Sequence, residues 1–387
     1  MPGRYAISAV LAVLAVRFVA PAIAAAPAQA LIDDDRDAQA AMALGVRAWL
    51  EDDLELGAFD TGSSRFDGEW LFGTYMLSGV GLAQAARAHP EWRQEHAELI
   101  DRCIEALLSR RVRAFDRDAW GRDPLDALGS HQAHVAYLGY LNLVLSLHRD
   151  LDPDSRHAHL NDRITAHLVR LSRGSPTGLL ETYPGEVYPV DNSVFIASVA
   201  VHDLATDADH HAFLGGWCSR LPRFRDPDTG LLYQRVDGAT GRALDRGRGS
   251  GTAFAAWFLS FADSGLSADL HRTVRDELFG TFVGFGVTRE YARGVLGLGD
   301  IDSGPVVLGF GVSATGFTLA SARAQGDDET FRRAYATAQL FGAPVDRGGK
   351  RRFALGGPIG DAMMFALTTA RPAREWRQRW TEDRRTP

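Results

Sequence analysis

Two kinds of helical segment alternate along this chain, and their alternation restricts the fold more than any other feature of the sequence. The first kind is amphipathic: residues 91–113 place Ile100 and Leu107 on one face and charged side chains on the other. The second kind, such as residues 130–149 and 304–325, is apolar almost all round and rich in Gly, Ala and Ser. A helix without a polar face is buried on every side, so we expect the amphipathic helices to surround the apolar ones.

Helical periodicity predicts a mostly α-helical protein of six helical hairpins. The predicted helices lie near residues 36–52, 68–88, 91–113, 130–149, 154–173, 192–206, 208–221, 250–264, 267–283, 304–325, 328–341 and 358–371. Two arrangements fit this pattern, an (α/α)6 barrel and an open two-layer solenoid. A solenoid needs polar capping helices at its ends, and the last apolar segment has no polar face. We therefore predict an all-α fold, the (α/α)6 barrel.

The loops that lead into the predicted inner helices contain short strand-like stretches. Residues 230–235 and 241–244 alternate between polar and apolar side chains and are bounded by turn residues, which predicts a β-hairpin. In an alternating barrel all inner helices begin at the same end, where their free amide groups and dipoles add together. We call this end the mouth and expect short β-hairpins and a polar concave surface there.

The first thirty residues have the layout of a secretory signal peptide. An apolar run over residues 6–25 is followed by the small residues of the 28–30 triplet. Arg17 interrupts the run, and a charge near the centre of a membrane-spanning helix costs about 2.5–3.5 kcal/mol. We predict a signal peptide over residues 1–30 and one secreted or periplasmic domain over residues 31–387, with no membrane contact beyond an N-terminal anchor if the peptide is retained.

Composition excludes several classes of partner and cofactor. The formal net charge of -7 gives no cationic surface for nucleic acid, so we expect no nucleic-acid partner. The chain contains only two cysteines, Cys103 and Cys218, which either form a disulfide in an oxidising compartment or remain as buried thiols. CxxC, HExxH, GxSxG and Walker sequences do not occur, and we expect no metal and no cofactor. A homo-oligomer is compatible with the sequence.

Acidic, aromatic, histidine and arginine side chains recur where the predicted inner helices begin. The candidates for proton transfer are Asp302, Asp191, Asp300 and Glu69. The candidates for binding substrate are Trp70, His131, His134, Tyr140, Tyr183, Tyr188, Asn192 and Arg248. Paired carboxyl groups in a pocket commonly act as the general acid and the general base of a reaction. The sequence therefore predicts proton-transfer chemistry at the mouth.

Several of these residues have a structural alternative. Asp191 and Asp302 stand at expected N-cap positions, where an aspartate stabilises a helix without any catalytic role. A cap needs only one aspartate, however, and the second carboxylate at Asp300 adds repulsion unless it titrates or binds a ligand. His131 and His134 are three residues apart and would share one face of a helix, as a pair of metal ligands or as an ordinary surface pair.

Short stretches across residues 115–330 carry a resemblance to a known family. They are Tyr140-Leu-Asn-Leu-Val-Leu-Ser-Leu-His, His157-Ala-His-Leu, Asp191-Asn-Ser-Val, Thr229-Gly-Leu-Leu-Tyr and Asp300-Ile-Asp-Ser-Gly. In these stretches the chain resembles the linalool dehydratase/isomerase family. The resemblance implies an exported (α/α)6 barrel and, as activity, a hydro-lyase or isomerase reaction on a small alcohol.

The catalytic residues of that family are not retained. Tyr140 stands where the family has a histidine, and Ala136 replaces a methionine one turn earlier. The two family cysteines fall near Thr182 and at Asp191, and a family tyrosine falls near Ala253. The resemblance therefore implies a shared scaffold on which carboxylates have replaced the thiol chemistry.

From these observations we expect an exported enzyme that uses carboxylate acid–base chemistry on a glycan or another hydroxylated substrate, as a hydrolase, lyase or epimerase. The first alternative is a hydro-lyase or isomerase that acts on a small alcohol, with Tyr140 and Asp191 in place of the lost groups. An enclosed apolar pocket would favour this alternative, whereas an open groove lined by aromatic residues would favour a glycan. The second alternative is a ligand-binding barrel without catalysis, whose carboxylates would lie apart.

Overall fold

The computed structural model describes residues 15–52, 54–301 and 303–376, and these residues are mostly helical. The α-helices are α1 (Ala20–Ala25), α2 (Ala28–Ile32), α3 (Arg36–Glu51), α4 (Ser64–Ala88), α5 (Arg93–Leu107), α6 (Ala114–Trp120), α7 (Val135–Leu151), α8 (Ala158–Gly174), α9 (Pro189–Ala205), α10 (His211–Cys218), α11 (Gly249–Leu259), α12 (Ser264–Thr273), α13 (Val312–Gln325), α14 (Asp328–Gly342) and α15 (Gly357–Thr368). The strands are β1 (Phe279–Phe282), β2 (Phe285–Thr288), β3 (Val306–Val307), β4 (Phe310–Gly311), β5 (Pro344–Arg347) and β6 (Lys350–Phe353). Short 3₁₀ or π turns occupy Ala15–Val19, Leu56–Ala58, Pro90–Trp92, Leu221–Phe224, Val274–Leu278 and Ala373–Trp376.

Six helices form the inside of the fold: α4, α7, α9, α11, α13 and α15. Helix α4 packs against α7, α7 against α9, α9 against α11, α11 against α13, α13 against α15, and α15 against α4. In α9 every residue from Asn192 to His202 is buried. The sequence pattern is the cause, because a helix with no polar face gains most when all of its sides leave water.

The amphipathic helices lie outside, as the sequence predicts. Helix α5 packs on α4 and α7, α8 on α7 and α9, α12 on α11 and α13, and α3 on α4 and α15. Helix α8 shows the reason, since Ile164 and Leu168 on one face are buried while Arg163 and Arg170 on the other are exposed.

Small residues allow the inner helices to approach closely. A Cβ atom at Gly81 in α4 would lie 2.6 Å from the Phe365 ring of α15, and one at Gly79 would lie 2.9 Å from Val144 of α7. Real Cβ contacts are not that short, so a larger residue would push the helices apart. The glycine content of the apolar segments therefore serves helix packing.

The inner helices begin at one end of the fold. Tyr140 in the second turn of α7 contacts Asp191 in the first turn of α9, and Glu69 of α4 contacts Tyr183, which precedes α9. Farther round, the amide of Gly249 at the start of α11 donates to the carbonyl of Glu290 in the loop before α13, at 2.8 Å. This end is the mouth defined above.

The β-hairpins occur in the loops before inner helices. Strands β1 and β2, β3 and β4, and β5 and β6 each form a two-stranded antiparallel sheet. The predicted hairpin at residues 230–244 is only partly formed: Val236 pairs with Ala243 and Tyr233 with Gly247 as isolated antiparallel bridges. The offset of one residue between these two bridges interrupts a continuous ladder.

In two of the predicted helices, strands replace part of the helical segment. The segment predicted over residues 304–325 becomes a helix only at Val312, because β3 and β4 pair before it around a turn with a positive φ at Leu308 and Gly309. The segment predicted over residues 267–283 ends as α12 at Thr273, and its last residues form β1. In both cases β-branched and aromatic residues beside glycine favour strands over the apolar helical period.

The N-terminal segment lies only partly within the described residues, since residues 1–14 of the predicted leader fall outside them. Helices α1 and α2 pack against α14, with Pro21, Ala28 and Leu31 buried. The Arg323 guanidinium donates to the Ile32 carbonyl at 2.9 Å. Among the residues that the structure describes, none of the helices is both long and apolar enough to cross a membrane.

The two cysteines are free, buried thiols on different outer helices, Cys103 on α5 and Cys218 at the end of α10. Burial raises the pKa of both thiols, that of Cys218 to about 12. A thiol with a raised pKa is a poor nucleophile, so neither residue has the character of a reactive cysteine.

Candidate active site

The carboxyl group of Asp191 connects two inner helices at the mouth. Its Oδ1 accepts a hydrogen bond from the Tyr140 hydroxyl of α7 at 2.7 Å, and its Oδ2 accepts one from the Thr182 hydroxyl at 2.9 Å. The expected N-cap role is wrong, because α9 begins at Pro189 with Tyr188 in the cap position. Asp191, Tyr140 and Thr182 thus form one hydrogen-bonded group.

Burial is the largest influence on the pKa of the Asp191 carboxyl group. Removal from water raises the pKa of its carboxyl group, and the hydrogen bonds from Tyr140 and Thr182 only partly oppose this. Both partners are neutral, so they hold the carboxyl group in place without the strong preference for its ionised form that a cation imposes. Asp191 is therefore poised to keep a proton to a higher pH than an exposed aspartate.

Glu69 forms a second group of the same kind on α4. The Tyr183 hydroxyl donates to Glu69 Oε1 at 2.5 Å, and Arg65 Nε donates to the same oxygen at 3.2 Å. The Arg65 guanidinium also lies 3.7 Å from the centre of the Tyr183 ring, a cation–π contact. Burial raises the pKa of Glu69, Tyr183 and Arg65 oppose the shift, and the Asp191 carboxyl group adds to it when it is ionised. The two carboxyl groups are therefore electrostatic neighbours.

An aromatic surface continues from Asp191 across the inner helices. The Tyr140 and Phe258 ring centres are 6.2 Å apart, those of Phe258 and Phe254 are 4.6 Å apart, and those of Phe254 and Phe317 are 4.2 Å apart. Phe254 and Phe317 are partly exposed although they lie on inner helices. Partly exposed apolar side chains also occur in the second turn of α4, at Trp70, and in the first turn of α15, at Ile359.

Arg248 organises the other side of the mouth. It forms an ion pair with Asp300, a second contact with Asp245 at 3.3 Å, and a cation–π contact with Tyr291. Burial acts to raise the pKa of Asp300, but the Ser303 amide and the Arg248 charge outweigh it and lower the pKa overall. Asp300 is thus held as a carboxylate. Asp302, the other candidate of this loop, lies outside the described residues.

Glu290 is a buried carboxyl group that was not among the sequence-based candidates for proton transfer. Its Oε1 accepts a hydrogen bond from the Ser250 hydroxyl at 2.6 Å, and a Cβ atom at Gly311 would lie 2.8 Å from its Oε2. Burial raises the pKa of Glu290 to about 7, although Ser250 and Arg248 oppose the shift. The charged sequence around it, Thr-Arg-Glu-Tyr, is typical of a solvated loop and gives no sign of this burial.

His134 is buried in a pair with Asp116, which the sequence prediction also missed. His134 Nδ1 lies 2.6 Å from Asp116 Oδ2, the Trp120 ring stacks on the imidazole at 4.4 Å, and both members of the pair are fully buried. Burial raises the pKa of Asp116 to about 6, although His134 lowers it. The expected shared helix face with His131 is wrong, because α7 begins only at Val135, His134 has a φ of 49°, and His131 is exposed.

The remaining candidates support the loop before α9. Asn192 accepts from the Leu180 amide at 2.8 Å and donates to the carbonyls of Leu180 and Tyr188 at 3.0 Å. The Tyr188 hydroxyl donates to Glu186 at 2.9 Å. These contacts hold the loop that carries Thr182 in place. Asn192 therefore positions the Asp191 group indirectly, through this loop.

Comparison with known proteins matched no protein family and no curated protein. The resemblance to the linalool dehydratase/isomerase family therefore stays a prediction.

Within the described ranges, residues with the arrangement of metal ligands occur at the end of the fold opposite the mouth, at His202, Asp203 and His210.

Proposed function

We propose that the six inner helices close into a ring, so that the protein is an (α/α)6 barrel. Support comes from the order of contacts, in which each inner helix packs on the next and α15 returns to α4. Four of the six inner helices, α4, α7, α9 and α13, also pack on an outer helix that precedes them in the chain. An open solenoid would leave α4 and α15 at opposite ends.

We propose that the protein is an acid–base enzyme that acts on a hydroxylated substrate through Asp191 and Glu69. The observation that carries this proposal is the pair of tyrosine-bound carboxyl groups, Asp191 with Tyr140 and Glu69 with Tyr183, both with a raised pKa and close enough to influence each other. Neighbouring carboxyl groups with perturbed pKa values are a general mark of proton-transfer catalysis.

The proposed reaction is the removal of water from an alcohol. The protonated carboxyl group of Asp191 donates its proton to the substrate hydroxyl, and the C–O bond breaks with release of water. The Glu69 carboxylate accepts a proton from the adjacent carbon, whose C–H electrons form the double bond. Tyr140 and Thr182 orient the donor, while Tyr183 and Arg65 orient the acceptor. In the reverse direction the same groups hydrate the double bond.

The aromatic surface beside Asp191 favours a small alcohol as the substrate. The partly exposed Phe254 and Phe317, packed on the buried Phe258, offer no hydrogen bonds, whereas a sugar needs a polar partner for most of its hydroxyl groups. An apolar wall with a few polar groups at one edge suits a molecule with a hydrocarbon body and one hydroxyl. The resemblance to the linalool dehydratase/isomerase family agrees with this choice.

A glycan is the second candidate, and the Arg248 side of the mouth supports it. Arg248, Asp245 and Asp300 form a polar group that suits the hydroxyl groups of a sugar. In that case the same carboxyl groups would serve a hydrolase, lyase or epimerase. The third interpretation, a binding barrel without catalysis, predicts that Asp191 and Glu69 affect stability alone.

The test uses the purified protein with a panel of small alcohols and a panel of glycosides, and alkene or sugar products are measured by chromatography. Asp191→Asn and Glu69→Gln keep the shape of each side chain but remove its proton-transfer capacity. Asp60→Asn is the matched control, because Asp60 is exposed in the loop before α4. Product from alcohols that disappears in both variants and persists in the control supports the proposal. Product that both variants form at the wild-type rate would refute it.

A further inference from the structure

A group of two histidines and one aspartate lies at the end of the fold opposite the mouth. His202 and Asp203 belong to the last turn of α9, and His210 directly precedes α10. His202 is eleven positions beyond Asp191 on the same helix, which is about 16 Å along its axis. This group therefore takes no part in the chemistry proposed for the mouth.

The geometry of the group is compact. Asp203 Oδ1 lies 2.6 Å from His210 Nδ1 and 3.7 Å from His202 Nδ1. The three residues each offer a ligand atom, and these atoms lie within 4.8 Å of one another. Asp203 Oδ2 also accepts a hydrogen bond from the His210 backbone amide at 2.6 Å. This bond keeps the connection between α9 and α10 close to the three side chains.

The contacts between Asp203 and His210 are those of an aspartate that stabilises a turn. That role does not explain why His202 is buried beside the same carboxyl group. His202 is only 5% exposed, and its Nε2 lies 2.8 Å from Asp162 Oδ1. Asp162 accepts a hydrogen bond, so it fixes the proton of the neutral imidazole on Nε2 and leaves a lone pair on Nδ1. That Nδ1 is buried without a hydrogen-bond partner and faces the Asp203 carboxylate.

A buried lone pair that faces a carboxylate oxygen is unfavourable unless a cation lies between them. The cation would be either a metal ion or a second proton on His202. Two imidazoles and one carboxylate are a ligand set that zinc accepts, with a solvent molecule in the fourth position. A carboxylate behind a histidine ligand is the usual support that orients the ring, and Asp162 occupies that position.

We propose that His202, Asp203 and His210 bind a divalent transition metal ion of the zinc class, with Asp162 as a positioning residue behind His202. The ion joins the end of α9 to the start of α10 through the connecting loop. Its role is structural, because it lies far from Asp191 and fastens two helices of the outer and inner layers. The proposal is independent of the function proposed for the mouth.

The test measures zinc binding by the full-length protein after removal of metal with a chelator. Isothermal titration with ZnCl2 should give one site per chain, and Co²⁺ in place of zinc should give the visible absorption of a four-coordinate ion. His202→Ala and His210→Ala should weaken zinc binding more than tenfold. Asp162→Asn, which keeps all three ligands, should weaken it by roughly 10–100-fold.

His211→Ala is the matched control, because His211 is an exposed neighbour that pairs with Asp209 outside the cluster. Its zinc affinity should equal that of the wild type. Circular dichroism shows whether each variant is folded, and the wild-type titration does not depend on the variants. Lack of saturable zinc binding by the wild type would overturn the proposal. Equal zinc affinity of the wild type and a folded His202→Ala variant would overturn it as well.

Discussion

On the α7–α9 side of the mouth, Asp191 is held by the hydroxyl groups of Tyr140 and Thr182, whereas on the α11 side Asp300 is held by the guanidinium of Arg248. Burial acts to raise the pKa of both carboxyl groups, but the outcome is opposite: the pKa of Asp191 is raised and that of Asp300 is lowered. The partners make the difference, because a hydroxyl group bonds a carboxyl group in either state while a cation favours the ionised one. One side of the mouth is therefore suited to transfer protons and the other to hold a fixed charge.

The sharpest test of this comparison is to replace each aspartate in turn. Asp191→Asn should reduce kcat about 10²–10⁴-fold on the substrate that the panels identify, because it removes the proposed general acid. Asp300→Asn should leave kcat within a few-fold of the wild type and act mainly on KM. Steady-state kinetics of both variants is the measurement, and equal losses of kcat would break the distinction between the two sides.

Glu290 extends the comparison, because it lies on the Arg248 side but accepts its hydrogen bond from the Ser250 hydroxyl. The folded protein holds the Glu290 proton to about pH 7, whereas an unfolded chain releases it near pH 4.5. Between these values the folded state binds more protons, so its stability falls as pH rises, by about 3 kcal/mol for this residue. Asp116, with a pKa near 6, acts in the same direction.

Glu290→Gln should therefore flatten the fall in stability between pH 4.5 and pH 7. Urea unfolding at several pH values measures this, with Glu181→Gln as the control because Glu181 is exposed in the loop before α9. A slope that is the same in the wild type and in Glu290→Gln would show that the residue titrates normally in the folded protein.

Removal of one hydroxyl tests whether neutral partners tune Asp191. Tyr140→Phe deletes a hydrogen bond that lowers the pKa of Asp191, so that pKa should rise further. If Asp191 is the general acid, the alkaline limb of the kcat/KM profile moves to higher pH, and kcat falls about tenfold as the donor loses its orientation. Tyr233→Phe, in a partly exposed loop position, should change neither quantity. An unchanged alkaline limb in Tyr140→Phe would argue against Asp191 as the acid.

The smallest effect is expected on the free energy of unfolding when the ion pair between Arg248 and Asp300 is removed. The Asp300 side chain is 39% exposed, so water screens its attraction to Arg248. Exposed pairs contribute about 0–1 kcal/mol, and Asp300→Asn should lower the free energy of unfolding by no more than that. Chemical denaturation measures the change, and a loss of several kcal/mol would mean that the loop around Asp300 carries part of the core.

Much of the fold could be predicted from the sequence, because helix burial depends on a local pattern. The apolar period of residues 189–205 and the charges on residues 158–174 determine which helix lies inside. Boundaries were wrong where a hairpin competed with a helix, as at β3 and β4 before α13. An apolar period does not distinguish a buried strand from a buried helix over a few residues.

The candidate site was predicted only in part. Glu69 and Asp191 were chosen because they stand where inner helices begin, and Tyr140 because the resemblance places it at a family histidine. The structure brings them into hydrogen-bonded groups. Glu290 and Asp116 were missed, because their burial results from contacts with Ser250 and His134 that are distant in sequence. The same reason hid the cluster at His202, whose spacing to His210 matches none of the metal motifs sought in the sequence.

The sequence by itself determined the helical class and the division into inner and outer helices, since both follow from which side chains avoid water along a single segment. It also located the acidic residues at helix starts. Only the tertiary structure decided in which direction the pKa of each is shifted. The pKa of a carboxyl group depends on its burial and on the charge of its partner, and for Asp191, Asp300 and Glu290 those partners come from other parts of the chain.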